Sequence, residues 1–321
     1  MSTSKNNTAF LRHGENRGRF IKPCPGTPRY VCCGYRIINI AHGCTLNCSY
    51  CILEDYFEAD TPILFSNIDK LADELEQVIQ SSSGILRFGT GEFTDSLLSL
   101  DYYKVYEQIF PIIARSPNAI LELKTKTTNI EPLLEMGFQN RIILSWSLNS
   151  VDVASQIERD APGIDMRIDA AKSVAASGFK LGFHFDPIVF YEGWEQGYRE
   201  TIEMLFERVD PKHIVYISMG SLRFSPHVQE SIVKRSRLFL QGDYIRGIDG
   251  KIRYFRPQRT KLYRTVLGYL RRHIADDSVY LCMENQDVWK DVFGMENMTS
   301  SNLSRRLDNV CRAAFKDIAI S

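Results

Sequence analysis

"YRIINIAHGCTLNCSYC", residues 35–51, is the stretch from which the rest of the chain can be read. Residues 35–41 form a short apolar run rich in isoleucine, which predicts a strand. Residues 44–51 place Cys44, Cys48 and Cys51 within one short loop. A strand that delivers three thiols at its carboxyl end says where function should gather, provided the chain continues to alternate strand and helix.

It does continue. "GILRF" (84–88), "AILELKTK" (119–126), "RIILSWSLN" (141–149), "KLGFHFDPIV" (180–189) and "HIVYISMG" (213–220) read as further strands. Helical patterns separate them at 67–81, with Asn67 or Ser66 as cap, and at 99–116, where Pro111 predicts a kink or break. Others follow at 130–137 and 164–178, each with a glycine stop, and at 194–209. Six such cycles predict parallel pairing and a helix-covered sheet. The expected fold class is α/β, a partial (β/α)6 TIM-type barrel with a C-terminal helix–hairpin extension; a doubly wound sheet is the alternative. The extension holds a hairpin over 242–255 that turns at Asp249–Gly250, a helix over 259–274 and a strand over 278–285. The expected division is an N-terminal arm (1–34), a barrel core (35–221) and an extension (222–321) packed on the core. In either sheet form, ligands bind at the carboxyl ends of the strands.

Composition narrows the class. Of 321 residues, 44% are apolar, enough for a large core. No run is long and apolar enough to span a membrane. The first twenty residues are polar, read as a frayed arm rather than a secretion signal. The expected compartment is therefore reducing and cytoplasmic, and the eight cysteines are read as ligands, reactive groups or buried thiols rather than disulfides.

Three close thiolates select soft metals. A structural zinc needs a fourth ligand, for which His42, Cys32 or Cys33 are available. A four-iron cluster held at three irons leaves its fourth iron open. Three cysteines buried together by coincidence is the plain alternative.

The spacing C-x3-C-x2-C, with Tyr50 before the last cysteine, resembles the signature of the radical S-adenosylmethionine superfamily. The resemblance implies that Cys44, Cys48 and Cys51 hold a [4Fe-4S] cluster whose open iron takes S-adenosyl-L-methionine. Reductive cleavage of that cofactor yields a 5′-deoxyadenosyl radical that abstracts hydrogen from substrate. It implies a reductant such as flavodoxin or ferredoxin. The cofactor-binding set it suggests is Tyr50, Gly91 and Glu92 in "GTGEFTD", Lys126 in "LELKTKT", and Ser145, Ser147 and Asn149 in "ILSWSLNS". Glu92 would meet the cofactor's ammonium group, Lys126 its carboxylate and the three polar residues of 145–149 its ribose. Alternation puts Ser145, Ser147 and Asn149 on one face and Trp146 on the other. His184 and Ser218 would border the adenine or the substrate.

"RFGTGEFTDSL", "RIDAA", "GFHFDPI" and "VYLCMENQDVWKDVFG" extend the likeness, in order, to the spore photoproduct lyase family. That family reverses a methylene-bridged thymine dimer in DNA and uses a cysteine in the loop after strand two to return a hydrogen atom. Here Phe93 aligns with that cysteine, and Ile52 stands where repair enzymes of the family have a tyrosine. The cluster and cofactor motifs are present; the donor is missing. Cys282, in "YLCMEN", is the remaining candidate for a catalytic thiol, and a buried strand cysteine is its ordinary reading.

From Lys234 to Arg272 the chain carries twelve Lys/Arg, interleaved with aromatic residues. Cations neutralise phosphates and aromatics stack on bases, so this segment is the expected nucleic-acid surface. A plain alternative is that it balances the acidic remainder of a chain with no net charge. Two other functions stay open: a radical enzyme acting on a peptide or small metabolite, and a non-enzymatic, metal-dependent nucleic-acid-binding module.

Overall fold

Strands that pack on both faces need apolar side chains at successive positions, and the chain supplies them. Ala119–Thr125 and Ile142–Ser147 are buried almost throughout. In a computed structural model, which describes residues 11–27, 29–57 and 61–315, these runs lie in one eight-stranded sheet. We number its strands β1 (Ile21–Pro23), β2 (Arg36–Ile38), β3 (Leu86–Gly89), β4 (Ala119–Thr125), β5 (Ile142–Ser147), β6 (Lys180–Ile188), β7 (Ile214–Ser221) and β8 (Val279–Leu281). They neighbour one another in chain order. All pairings are parallel except β1 with β2.

The partial barrel is therefore larger than the six strands expected. β8 comes from the extension, which supplies a strand to the sheet as well as packing on it. β1 comes from the arm, which is docked from residue 12 onward rather than frayed; residues 1–10 lie outside the described residues. The two sheet edges also meet. The Val31 N–H donates to the Glu284 carbonyl at 2.9 Å, an isolated antiparallel bridge across the seam between the β1–β2 connection and the segment after β8. Behind it, the Glu284 carboxylate is held by Arg259 at 3.1 Å and by the Tyr263 hydroxyl at 2.8 Å.

The crossover helices follow the periodicity closely. Ile68–Gln80 buries Leu71, Leu75 and Ile79 at helical spacing. Asn67 precedes it without capping it, because its side chain exchanges two hydrogen bonds with the Asn16 backbone instead. Pro111 does not break its helix; Tyr103–Arg115 runs through it. Glu131–Met136 ends at Gly137, whose φ of 71° is the left-handed stop the sequence predicts. In the extension, Tyr244–Arg246 and Ile252–Tyr254 form the hairpin and Arg256–Leu270 the helix. Gln286–Phe293 and Ser300–Ala314 are two more helices. Among the described residues no helix is long and apolar enough to cross a membrane.

Candidate active site

The curled sheet encloses a cavity of about 300 Å³ at the strand carboxyl ends. Six of the eight cysteines line it: Cys24, Cys33, Cys44, Cys48, Cys51 and Cys282.

The cysteine loop is held from both sides. Gly43, at φ 89°, sits so close to Pro62 that a Cβ there would lie 3.2 Å from its Cα. Asn47 takes the left-handed conformation that asparagine tolerates, at φ 48°, and its amide donates to Asp160 at 2.5 Å. Ser49 N–H donates to the Ile157 carbonyl at 2.8 Å. Beneath the loop, the Tyr50 hydroxyl donates to Glu158 at 2.5 Å, and Glu158 is paired with Arg167 at 2.6 Å in full burial. Burial pushes Glu158 up, but Arg167, Lys126 and Tyr50 outweigh it and bring the net shift down. The helix after the loop, Leu53–Tyr56, is clamped by the extension: Glu54 pairs with Arg235, and Asp55 with Ser225 and with His227 at 2.9 Å.

Burial raises all three loop thiols, Cys48 to about 12. A bound metal must therefore displace protons from them. Among the described residues no three His, Cys, Asp or Glu side chains converge to hold a single metal ion. A mononuclear thiolate site requires that convergence. Three cysteines that each bind a different iron of a cluster do not, and three soft donors facing one cavity fit such a cluster.

Around the thiols, Tyr50, Gly91, Glu92, Lys126, Ser147 and Cys282 all line the same cavity. Ser145 and Asn149 do not. Ser145 is fully buried and donates to Glu122. Asn149 is fully buried, donating to the Pro187 carbonyl at 2.9 Å and accepting from the Tyr198 hydroxyl at 2.5 Å. Alternation placed them on the correct face of the strand, but Glu122 stands between Ser145 and the cavity, and Asn149 lies past the end of β5.

Lys126 makes no ion pair among the described residues; its ammonium lies 5.6 Å from the centre of the Tyr50 ring. Burial lowers its pKa, but Cys48 and Glu158 more than reverse that, so it stays charged. Glu92, by contrast, is already paired, with Lys124 at 2.7 Å. Gly91 lets Lys124 approach, since a Cβ on it would lie 2.7 Å from the Lys124 Cβ and 2.9 Å from its carbonyl oxygen. Lys124 ends its strand beside Lys126, as the sequence places it, but the sequence assigns it no role there, although Glu122, Lys124 and Lys126 share one face at a period of two.

Phe93 lines the cavity inside an aromatic group, with ring centroids 5.8 Å from His42, 6.0 Å from Phe57 and 6.2 Å from Tyr56. Cys282 sits on another wall, at the end of β8. Arg223, which pairs with both oxygens of Asp186 at 3.1 and 3.0 Å, reaches its sulfur at 3.8 Å. Burial raises the Cys282 thiol despite that guanidinium.

The basic segment is largely neutralised within the chain. Lys234, Arg235, Arg253, Arg256, Arg259, Lys261, Arg271 and Arg272 all pair with carboxylates. Arg264 donates to the Asp291 carbonyl. Lys251 lines the cavity, and Ile245, Arg246 and Ile248 are exposed on the hairpin beside it.

Comparison with known proteins agrees with this geometry. Two curated spore photoproduct lyases are similar to the chain. That of Geobacillus sp. (strain Y412MC61) is 26% identical over 258 residues, covering 75% of this chain and 74% of its own length. That of Bacillus subtilis (strain 168) is 25% identical over 201 residues, and there the chain spans only 59% of the relative's length. A solved mutant of spore photoproduct lyase superposes with a TM-score of 0.73 at 25% identity, covering 84% of this chain and 81% of the other. The sequence model described as "Spore photoproduct lyase" matches residues 32–240, and the chain belongs to the spore photoproduct lyase family.

Proposed function

We propose that the protein is a radical S-adenosylmethionine lyase that acts on a damaged pyrimidine pair in DNA. The observation that carries this reading is the convergence of Cys44, Cys48, Cys51, Glu92 and Lys126 on one cavity, in a chain of this family. One related mutant structure holds dinucleoside spore photoproduct, and another holds S-adenosylmethionine together with it. When bound, the [4Fe-4S] cluster and S-adenosylmethionine supply a 5′-deoxyadenosyl radical.

The chain's own residues divide the remaining work. The three cysteines hold the cluster, and the small reductant that charges it is of the flavodoxin or ferredoxin kind. Lys126, the unpaired cation, takes the cofactor's carboxylate. Glu92 exchanges Lys124 for the cofactor's ammonium, Gly91 keeps the approach open and Ser147 meets the ribose. Tyr50 braces the loop through Glu158. Ser145 and Asn149 support β5 and the helix after it rather than touching cofactor.

Cys282 returns the hydrogen atom. Phe93 has none to give, whereas Cys282 faces the same cavity and burial keeps its sulfur protonated, the form hydrogen-atom donation requires. Its thiol hydrogen passes to the substrate carbon radical and leaves the unpaired electron on sulfur. DNA docks along the exposed Arg237, Arg246 and hairpin tip, with Lys251 at the cavity.

A second reading, a radical enzyme on a peptide or small metabolite, is favoured by one observation: eight of the twelve cations are already paired.

The test is anaerobic reconstitution followed by reduction, expected to release 5′-deoxyadenosine. With dinucleoside spore photoproduct in deuterated water, deuterium from the exchanged thiol should enter the repaired product, and Cys282→Ala should lower that incorporation. A reconstituted protein that takes up no iron and sulfide sinks the radical reading. Deuterium entry unchanged by Cys282→Ala sinks the donor assignment, and cofactor cleavage without any effect of DNA favours the small-substrate reading.

A further inference from the structure

Hydrogen-atom abstraction needs neither an acid nor a base, yet one wall of the cavity carries a chain of groups built to move a proton. Glu122, His184 and Ser218 stand on β4, β6 and β7 and all line the cavity. His184 and Ser218 are register partners. One imidazole nitrogen, Nε2, lies 2.7 Å from the Glu122 carboxylate, and the other, Nδ1, lies 2.6 Å from the Ser218 hydroxyl oxygen. Ser145, behind the wall, donates to the same Glu122 oxygen and anchors that end. The other end opens into the cavity at Ser218.

We infer that Glu122, His184 and Ser218 form a proton relay, and that its open end serves a ring carbonyl or ring nitrogen of a pyrimidine substrate bound beside Ser218. The inference rests on the cavity being the substrate site proposed above. With the imidazole neutral, Nε2–H donates to Glu122, Nδ1 accepts the Ser218 hydroxyl hydrogen, and the serine oxygen offers lone pairs to the ligand. With the imidazole protonated, both nitrogens donate and the serine hydrogen turns to the ligand. Transfer then moves the serine hydrogen to a ligand oxygen or nitrogen as a proton, while the Nδ1 proton replaces it on serine. His184 ends neutral, Glu122 stays a carboxylate and no electron changes hands. A carbonyl next to a carbon radical takes up part of the unpaired density, and its oxygen is where such a proton is useful.

A second observation points into the same space. The Tyr35 hydroxyl lines the cavity, its residue is only 8% exposed, and it has no hydrogen-bond partner among the described residues. It leans over Gly89, where a Cβ would collide with its ring. A buried donor without an acceptor is destabilising unless a ligand supplies one. The charged and titratable groups around the relay include Lys124 on β4, Tyr35, Tyr216 with its ring 6.3 Å from His184, Tyr280 on β8 next to Tyr216, and Cys311. Burial alone would raise Glu122, but His184, Ser145 and Lys124 hold it down to about 2, so the carboxylate end stays ionised.

The test is calorimetric titration of the anaerobically reconstituted protein with thymidine, in phosphate and in Tris buffer. Binding heats that differ between the buffers report proton uptake or release on binding, which a merely structural network does not produce. The expected result is a buffer-dependent heat in the wild type that disappears in both Ser218→Ala and His184→Gln. Ser218→Ala removes a single hydroxyl and carries the comparison should His184→Gln not fold. Equal heats in both buffers, an undiminished difference in Ser218→Ala, or no binding at millimolar thymidine each overturns the relay. Adenosine giving the same linked heat would assign the wall to the cofactor's base and also overturn it. Release of 5′-deoxyadenosine by the wild type is measured separately, so failure of the radical reading and failure of the relay are told apart.

Discussion

The three loop thiols turn toward a cavity, while most cations between Lys234 and Arg272 end on carboxylates of the same chain. The thiols sit on a loop fixed by backbone bonds and a buried ion pair beneath it, so they are presented and not spent. The cations hold the extension together: Arg259 secures Glu284 behind the barrel seam, and Arg256 joins two helices through Asp287 and Asp291. A dense run of charge is thus weak evidence for a partner until its internal pairing is known, whereas a dense run of thiols beside a cavity needs one.

The sharpest way to break the contrast is to remove one thiol. Cys48→Ala is expected to bring 5′-deoxyadenosine release to background, measured by chromatography after reduction, with iron content falling alongside. Lys126→Met should come next. Losing a partly buried cation opposite a carboxylate costs about 2 kcal/mol, or roughly 30-fold in S-adenosylmethionine affinity, read by equilibrium binding. On the basic side, the unpaired and paired cations should separate. Arg246→Ala is expected to weaken duplex DNA binding and reduce its salt slope by about 1. Arg256→Ala should leave DNA binding unchanged and lower stability by about 1 kcal/mol or less, because that pair is half exposed.

The smallest effect is acid stability. Glu122 is carried from its ordinary 4.5 down to about 2 in the folded protein. A depressed carboxyl contributes stability that is fully present above about 4.5 and is lost as pH falls from there toward about 2. Glu122→Gln should flatten that acid limb in urea melts recorded across the window, with the rest of the pH profile unchanged.

What the sequence made legible follows from the range of the forces involved. Six strands and their crossover helices were readable because burial imposes local periodicity, as in Ile68–Gln80. The cysteine loop was readable because its ligands are neighbours in the chain. β8 was legible as a strand over 278–285, but its place beside β7 was not, because that pairing spans about sixty residues; β1, three residues long in a polar arm, gave no local signal. The break expected at Pro111 does not occur because a proline costs a helix one hydrogen bond and some strain, which a helix packed through Ile109, Phe110, Ile112 and Ile113 absorbs. Ser145 shows the same limit at the site. Its strand face was predictable, but its capture by Glu122 on the neighbouring strand was not, and neither was the partnership of Lys124 with Glu92.

The bridge between Val31 and Glu284 has a consequence for how the chamber comes to exist. Its partners lie about 250 residues apart, so it is among the contacts whose loop-closure cost delays them most. During synthesis the cysteine loop leaves the ribosome long before the strand and the glutamate that seal the opposite wall. Until Glu284 arrives, the thiols stand in an open trough, accessible to water and to oxidants. If the proposed cluster is the loop's ligand, its loading and its shelter from oxygen are therefore ordered in time: inserted before the seam closes it would sit less protected than after.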